Sequence, residues 1–332
     1  MRLSKTGMAI LVAQLCGVSL SNAAEIRIGW QTGVVNTHLT YIQKAELFKQ
    51  QGLTAELKPF AAGPAMLPAL AANEIDVGWM GEFPAVTGFV NGLPLRIFMV
   101  QSMLQTDVRL VANPATNAKT VADLKGKKIA VTIGSTSHFH LLRALAAAGL
   151  SQTEVSVVNL APANMAAAYF AGQVDAVLTW EPGVGEIEAK GGVRIATTQS
   201  LGTITGLFGV AREEYLTKNK DAVEQLIRAW DAALSAYQSS PRHVIEAEAT
   251  RLTQPVEAVE ALLGRQNVVF PGFAEQLKPQ FMGSPADKKT ARLTAHVQEI
   301  AQFLVKIDRI KSVPENLSDL IEPAAVAAHV RK

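Results

Sequence analysis

The stretch Gly172-Gln173-Val174-Asp175-Ala176-Val177-Leu178-Thr179-Trp180-Glu181-Pro182 decides the fold. Val174 to Thr179 is a short, mostly apolar run between a glycine and a proline, the signature of a buried strand. Trp180, Glu181 and Pro182 follow where that strand ends. Nearly the same phrase stands about one hundred residues earlier, as Asn73-Glu74-Ile75-Asp76-Val77-Gly78-Trp79-Met80-Gly81-Glu82-Phe83-Pro84. In each copy an Asp precedes a Glu by six residues, and a Pro follows within two. An alanine-rich helical pattern leads into each, at 65–72 and 163–171. The pair reads as two similar α/β lobes, each delivering a strand end to a shared cleft, because open α/β sheets bind ligands at the carboxyl ends of their strands.

Working outward, 25–30 alternates as a first strand, 38–50 reads as a helix closed by Gly52, and 53–58 as a second strand. The 65–72 helix and the 77–79 strand complete β-α-β-α-β, which calls for a mainly parallel sheet. The second unit repeats that order: strand 128–133, helix 135–148, strand 155–160, helix 164–171, strand 174–179. Between the units lie strands 95–100 and 108–112, with 101–107 joining them. The run 205–212 reads as the strand that returns the chain to the first lobe. The remainder reads as helices at 220–238, 241–252, 256–263 and 285–307, with apolar positions at helical spacing.

The amino end has a basic start (Arg2, Lys5), an apolar run from Gly7 to Leu20 and small residues at Ser21 and Ala23. That is the pattern of a secretory signal peptide cleaved after Ala23. The apolar run is too short for a membrane span, and Gln14 and Leu15 are the wrong residues for lipid attachment at Cys16. Cleavage takes two of the 31 Lys and Arg residues and none of the 29 acids, leaving 29 of each sign. A neutral mature chain lends no support to nucleic acid or an anionic membrane as partner. Cys16 is the single cysteine, so the mature chain has neither a disulfide framework nor a cysteine metal site.

Gly134-Ser135-Thr136-Ser137-His138 joins a strand to a helix. A helix start exposes unpaired N–H groups and partial positive charge. Its hydroxyls either cap the helix or bind the oxygens of an anion. His138 and His140, two apart on a helix, diverge and make a poor metal pair. No G-x-S-x-G turn is present, and enzyme readings lack a constellation. No cofactor is expected. Glu82 and Glu181, at strand ends in an apolar cleft, need a partner: a ligand ammonium, or an internal cation such as Arg109 or Arg143. Trp30, Trp79 and Trp180 fall at strand ends, where they wall a pocket or fill the core.

Lys127-Lys128-Ile129-Ala130-Val131, Ser135-Thr136-Ser137-His138, Leu141-Leu142, Val158-Asn159-Leu160 and Asp175-Ala176, with Trp180 and Pro182, together resemble the periplasmic taurine-, aliphatic sulfonate- and nitrate-binding proteins of ABC importers. Trp30-Gln31-Thr32 resembles the first strand end of the taurine-binding branch. The resemblance implies an α/β, type II periplasmic binding fold: two doubly wound lobes joined by a two-strand hinge, with a small ligand between them. It implies lobe 1 from 24–108 and 207–332, with the C-terminal helices, and lobe 2 from 109–206. It implies a monomer in the periplasm that hands its ligand to an inner-membrane permease. It carries anion binding onto Gln31, Ser135, Thr136, Ser137 and His138, with Trp30, Thr32, Gly81, Phe83, Trp180, Gly206 and Leu207 around the ligand. Leu207 stands where the taurine branch has an Asp, so the carboxylate for an amine moves to Glu82 or Glu181, or the ligand is another sulfonate, nitrate or a small nitrogenous compound. An enzyme of the same two-lobe shape is the remaining reading.

Overall fold

The computed structural model describes residues 24–331; the expected signal peptide lies outside them. The first unit runs β1 (Ala24–Gln31), α1 (Thr37–Lys44), α2 (Leu47–Gln50), β2 (Leu53–Phe60), α3 (Met66–Ala71), β3 (Val77–Met80) and α4 (Glu82–Val90). β4 (Leu95–Leu104) leads into β5 (Arg109–Ala112). The second unit is β6 (Lys128–Val131), α5 (Thr136–Ala147), β7 (Ser156–Asn159), α6 (Pro162–Phe170), β8 (Ala176–Thr179) and α7 (Gly183–Ala189). β9 (Val193–Thr197) and β10 (Thr205–Arg212) follow. Then come α8 (Glu213–Lys218), α9 (Lys220–Ser239), α10 (Pro241–Leu252), α11 (Val256–Gln266), β11 (Val268–Val269), α12 (Phe273–Gln276), α13 (Arg292–Lys306) and α14 (Ala324–Val330).

The strands make two sheets, in the orders β11-β4-β10-β3-β1-β2 and β7-β6-β8-β5-β9. Each holds a parallel trio with the first strand of its unit at the centre: β2-β1-β3 and β7-β6-β8. Each trio is then met by an antiparallel strand arriving from the other side of the molecule, β10 on β3 and β5 on β8. The chain therefore crosses between the sheets twice, after β4 and after β9. This is the type II periplasmic binding fold.

The repeated Asp has one job in both copies. Asp76 Oδ2 accepts the Arg27 backbone N–H at 2.9 Å, and its own N–H donates to the Arg27 carbonyl. Asp175 Oδ2 accepts the Lys128 N–H at 2.8 Å, and its own N–H donates to the Lys128 carbonyl. Each pins the entry of the third strand against the first, which sets a register that a slip would ruin. β3 and β8 are buried along their whole lengths, in keeping with their mostly apolar sequence.

Two elements differ from expectation. The 38–50 helix is two, broken at Glu46, whose φ of 52° is left-handed. The 285–307 helix starts only at Arg292, because Asp287 turns 284–291 back on itself by accepting the Ser284 N–H. The longer β4 also corrects the 95–100 strand and places Gln101 and Ser102 on it.

The two sheets do not have separate cores throughout. Phe139 and Leu142 of α5 are buried within the apolar core of the first sheet. Phe139 stacks on Phe83 of α4 with ring centres 5.3 Å apart, and meets Phe303 of α13 edge-on at 5.6 Å.

Candidate functional site

A cleft between the sheets encloses about 660 Å³ of empty space, counting the solvent at its mouth. A cleft of this size suits a small ligand. Its walls come from strand ends and helix starts of both units, from the two chain crossings, and from α11 and the segment after it.

Two helix starts converge on one wall. Gly81 caps α4 and Ser135 caps α5. A Cβ at Gly81 would collide with Thr136 Oγ1, so glycine lets the two starts approach this closely. Ser135 Oγ donates to the Thr132 carbonyl at 2.7 Å and exchanges a 2.8 Å hydrogen bond with Ser137 Oγ. Thr136 Oγ1, in contrast, is buried beside the Glu82 carboxyl with no hydrogen bond of good geometry. The positive ends of two helix dipoles and an unused hydroxyl suit an anion. Gln31 lines the same cleft; its Nε2 donates to the Trp79 carbonyl and its Oε1 accepts the Gly63 N–H at 2.8 Å, holding the strand end to the Gly63 turn. Trp180 also lines it, and its Nε1 donates to the Gly33 carbonyl at 2.7 Å, a bond between the two units.

Acceptors also line the cleft. Asp107, in the crossing from β4 to β5, takes Gln266 Nε2 at 2.7 Å and the Glu181 N–H at 3.2 Å on Oδ1. Burial pushes its carboxyl up to about 6. Gln101 Oε1 and Thr37 Oγ1 are buried with no partner. Leu104, Leu207, Val268 and Phe270 supply apolar wall.

Of the expected site residues, Gln31, Gly81, Ser135, Thr136, Trp180, Gly206 and Leu207 meet in this cleft. The others do not line it. Glu181 is fully buried and accepts from Arg109 Nη2 and from Arg265 Nε, the latter at 2.8 Å, so its carboxylate is already neutralised. Glu82 is fully buried behind the wall; its Oε2 accepts the Thr205 hydroxyl and the Gly206 N–H, each at 3.3 Å. Phe83 packs on Phe139. Ser137 is consumed by Ser135, and the His138 ring is held neutral by burial and Arg309, its value pushed down to about 4. Trp30 lies under the Arg251 guanidinium at 5.6 Å, and Thr32 bonds back to the Phe60 carbonyl. Sequence reading missed Asp107, Gln101 and Gln266, since no local pattern marks them. Among the described residues no group of three or more His, Cys, Asp or Glu is placed to hold a metal, and no helix is long and apolar enough to cross a membrane.

Comparison with known proteins agrees with this fold. A protein of Escherichia coli K12 named as aliphatic sulfonates-binding is 32% identical over 246 residues, 73% of this chain and 76% of its own. The taurine-binding periplasmic protein of the same strain is 28% identical over 323 residues, 90% of this chain and 95% of its own. The alkanesulfonate-binding protein of Xanthomonas axonopodis pv. citri, solved with MOPS bound, superposes with a TM-score of 0.73 at 26% identity, covering 90% of this chain and 98% of that one. A desulfurization enzyme shares the fold alone, at 16% identity and a TM-score of 0.61. The resemblance read from 127–182 is thus borne out by relatives that extend over most of the chain. The sequence pattern of the NMT1-like family matches residues 20–251, well over half of the chain, and the chain belongs to that family.

Proposed function

We propose that the protein is an exported solute-binding protein that captures a small organosulfonate, taurine first, and passes it to an ABC permease in the inner membrane. The observation that carries this reading is the meeting of two helix starts at Gly81 and Thr136, beside an unpartnered hydroxyl in a cleft of small-molecule size. The sulfonate sits at the start of α5, held by backbone N–H groups and Thr136. The ammonium of taurine faces Asp107 and the Gln101 carbonyl oxygen, not Glu181, whose charge two arginines already balance. The lobes, 24–108 with 207–332 and 109–206, close over the ligand by motion at the two chain crossings. The protein acts as a monomer in the periplasm, and binding, not turnover, is its task. Sulfonate-binding and taurine-binding relatives support the ligand class.

A second reading, a longer alkanesulfonate, has the apolar wall of Leu104, Leu207, Val268 and Phe270 in its favour. Thermal unfolding of the mature chain against taurine, ethanesulfonate, a longer alkanesulfonate, sulfate, nitrate and a small amine separates the readings. A ligand at 100 times its Kd stabilises by about 2.7 kcal/mol, a shift of several degrees. The largest shift is expected with taurine. A shift with alkanesulfonates alone selects the second reading, and no shift with any sulfonate rejects both.

A further inference from the structure

Glu82 is a carboxyl group with no cation. It is fully buried at the first position of α4, and no ion pair reaches it among the described residues. The elements packed on α4 are α5, α13, β4, β10 and the 317–320 turn. Arg292 and Lys306 of α13 are exposed at the surface, and the other cations are engaged. Arg143 of α5 lies over the Phe139 ring, Arg96 of β4 pairs with Glu213 at 2.8 Å, and Arg212 of β10 pairs with Asp76 at 3.3 Å. On α13, His296 is buried and neutral beside Glu299, and on α5 His138 and His140 are buried and neutral too. Nothing there balances a negative charge.

What does touch Glu82 belongs to the anion wall. Thr205 and Gly206, which donate to its Oε2, both line the cleft. The Thr136 side chain lies within hydrogen-bonding reach of the carboxyl. Yet Glu82 Oε1 and Thr136 Oγ1 are each left without a partner of good geometry. We infer that Glu82 is a positioning residue that works as an uncharged acid: its Oε1–H donates to Thr136 Oγ1, so that the Thr136 O–H is free to donate to an oxygen of the bound anion. This rests on the proposed sulfonate site at α5. An ionised Glu82 would do the opposite. It would take the Thr136 hydroxyl proton for itself, leave only lone pairs toward the ligand, and set a second negative charge beside the sulfonate. Anion binding to the ionised protein therefore takes up one proton from solvent. Burial pushes the Glu82 carboxyl up to about 7, which makes the uptake visible near neutral pH.

The probes are ethanesulfonate and butanesulfonate, neither of which titrates near neutral pH. Their Kd is measured calorimetrically from pH 5.5 to 8.5 in buffers of different ionisation heat. For the wild type the Kd is expected to rise toward tenfold per pH unit above about 7, with close to one proton taken up at pH 8. Asp107, whose carboxyl titrates near 6 in the same cleft, adds a separate step at lower pH. In Glu82→Gln the step above 7 disappears and the Asp107 step stays. Thr136→Val also loses the step, since the hydroxyl it acts through is gone; unfolding curves establish that both variants are folded. A wild-type Kd that is flat or falls above pH 7, or a Glu82→Gln protein that keeps the step, overturns the proton linkage and leaves the sulfonate reading standing. Failure of both probes and of taurine to bind at any pH removes the sulfonate reading and this inference with it.

Discussion

Asp107 sits where β4 passes into β5, and its neighbours leave one side of it to the cleft. Oδ1 is spoken for by Gln266 and the Glu181 N–H. With its value near 6, the group is ionised at pH 7.5, so it offers a charge to a ligand ammonium. Losing one partner of a desolvated charge pair costs at least about 2 kcal/mol, or roughly 30-fold in Kd. Asp107→Asn is therefore expected to weaken taurine by about that factor and to spare ethanesulfonate, as read by competition calorimetry at pH 7.5. Equal losses for the two ligands would take Asp107 out of the amine role. Its importance was not legible in the sequence. The bond to Gln266 spans 159 residues, and only the crossing of β4 into β5 turns the side chain into the cleft. The two glutamates were legible as strand-end carboxylates, but their fates depend on distant arginines: Arg265 reaches Glu181, and none reaches Glu82.

Among the elements, α5 joins recognition to packing. Its first turn lines the anion wall, while Phe139, one turn along, is wholly buried in the core of the other unit. Truncating a buried aromatic costs about 3–5 kcal/mol, from lost transfer energy and the cavity left behind. Phe139→Ala is expected to lower stability by that amount in denaturant unfolding, and to weaken ligand binding by loosening α5 against α4. A loss under about 1 kcal/mol would mean that the first unit's core does not depend on this side chain. The helix itself could be read from its Ser135 start and apolar spacing, as could each repeated strand from its glycine, apolar run and proline. Which face of α5 met which sheet could not, because Phe139, Leu141 and Leu142 are apolar on more than one side and partner choice is made by α4 and α13.

At the scale of the whole molecule, buried titratable groups pull in opposite directions. His38, His138, His140 and His296 are all pushed down from 6.5, to about 3, 4, 4 and 3, chiefly by burial. The unfolded chain takes up protons at these sites below pH 6.5, so the stability they carry is full above 6.5 and is lost as pH falls toward 4. Glu82 and Asp107 are raised, so their contribution is lost as pH rises from about 4 to 7. Four groups oppose two, and the unfolding midpoint is expected to drop between pH 7 and pH 4.5. A midpoint that holds or climbs over that range would show that the histidines are not neutral in the folded protein. The repeat behind the architecture was legible because Asp76 and Asp175 do the same structural work. The long helices after β10 carry no such repeat, and nothing in their own sequence marks the sheet they dock on.

Trp180 closes the cleft with an indole N–H fixed to the Gly33 carbonyl of the opposite unit. Of the four tryptophans, Trp79 and Trp230 are sealed together with ring centres 4.5 Å apart, and Trp30 is covered by Arg251 from its own side of the cleft. Separation of the lobes would strip Trp180 of its carbonyl and set its ring in water while leaving the other three in place. The emission colour of the protein would then gauge its own posture, redder with the lobes apart and bluer with them together, with no dye attached.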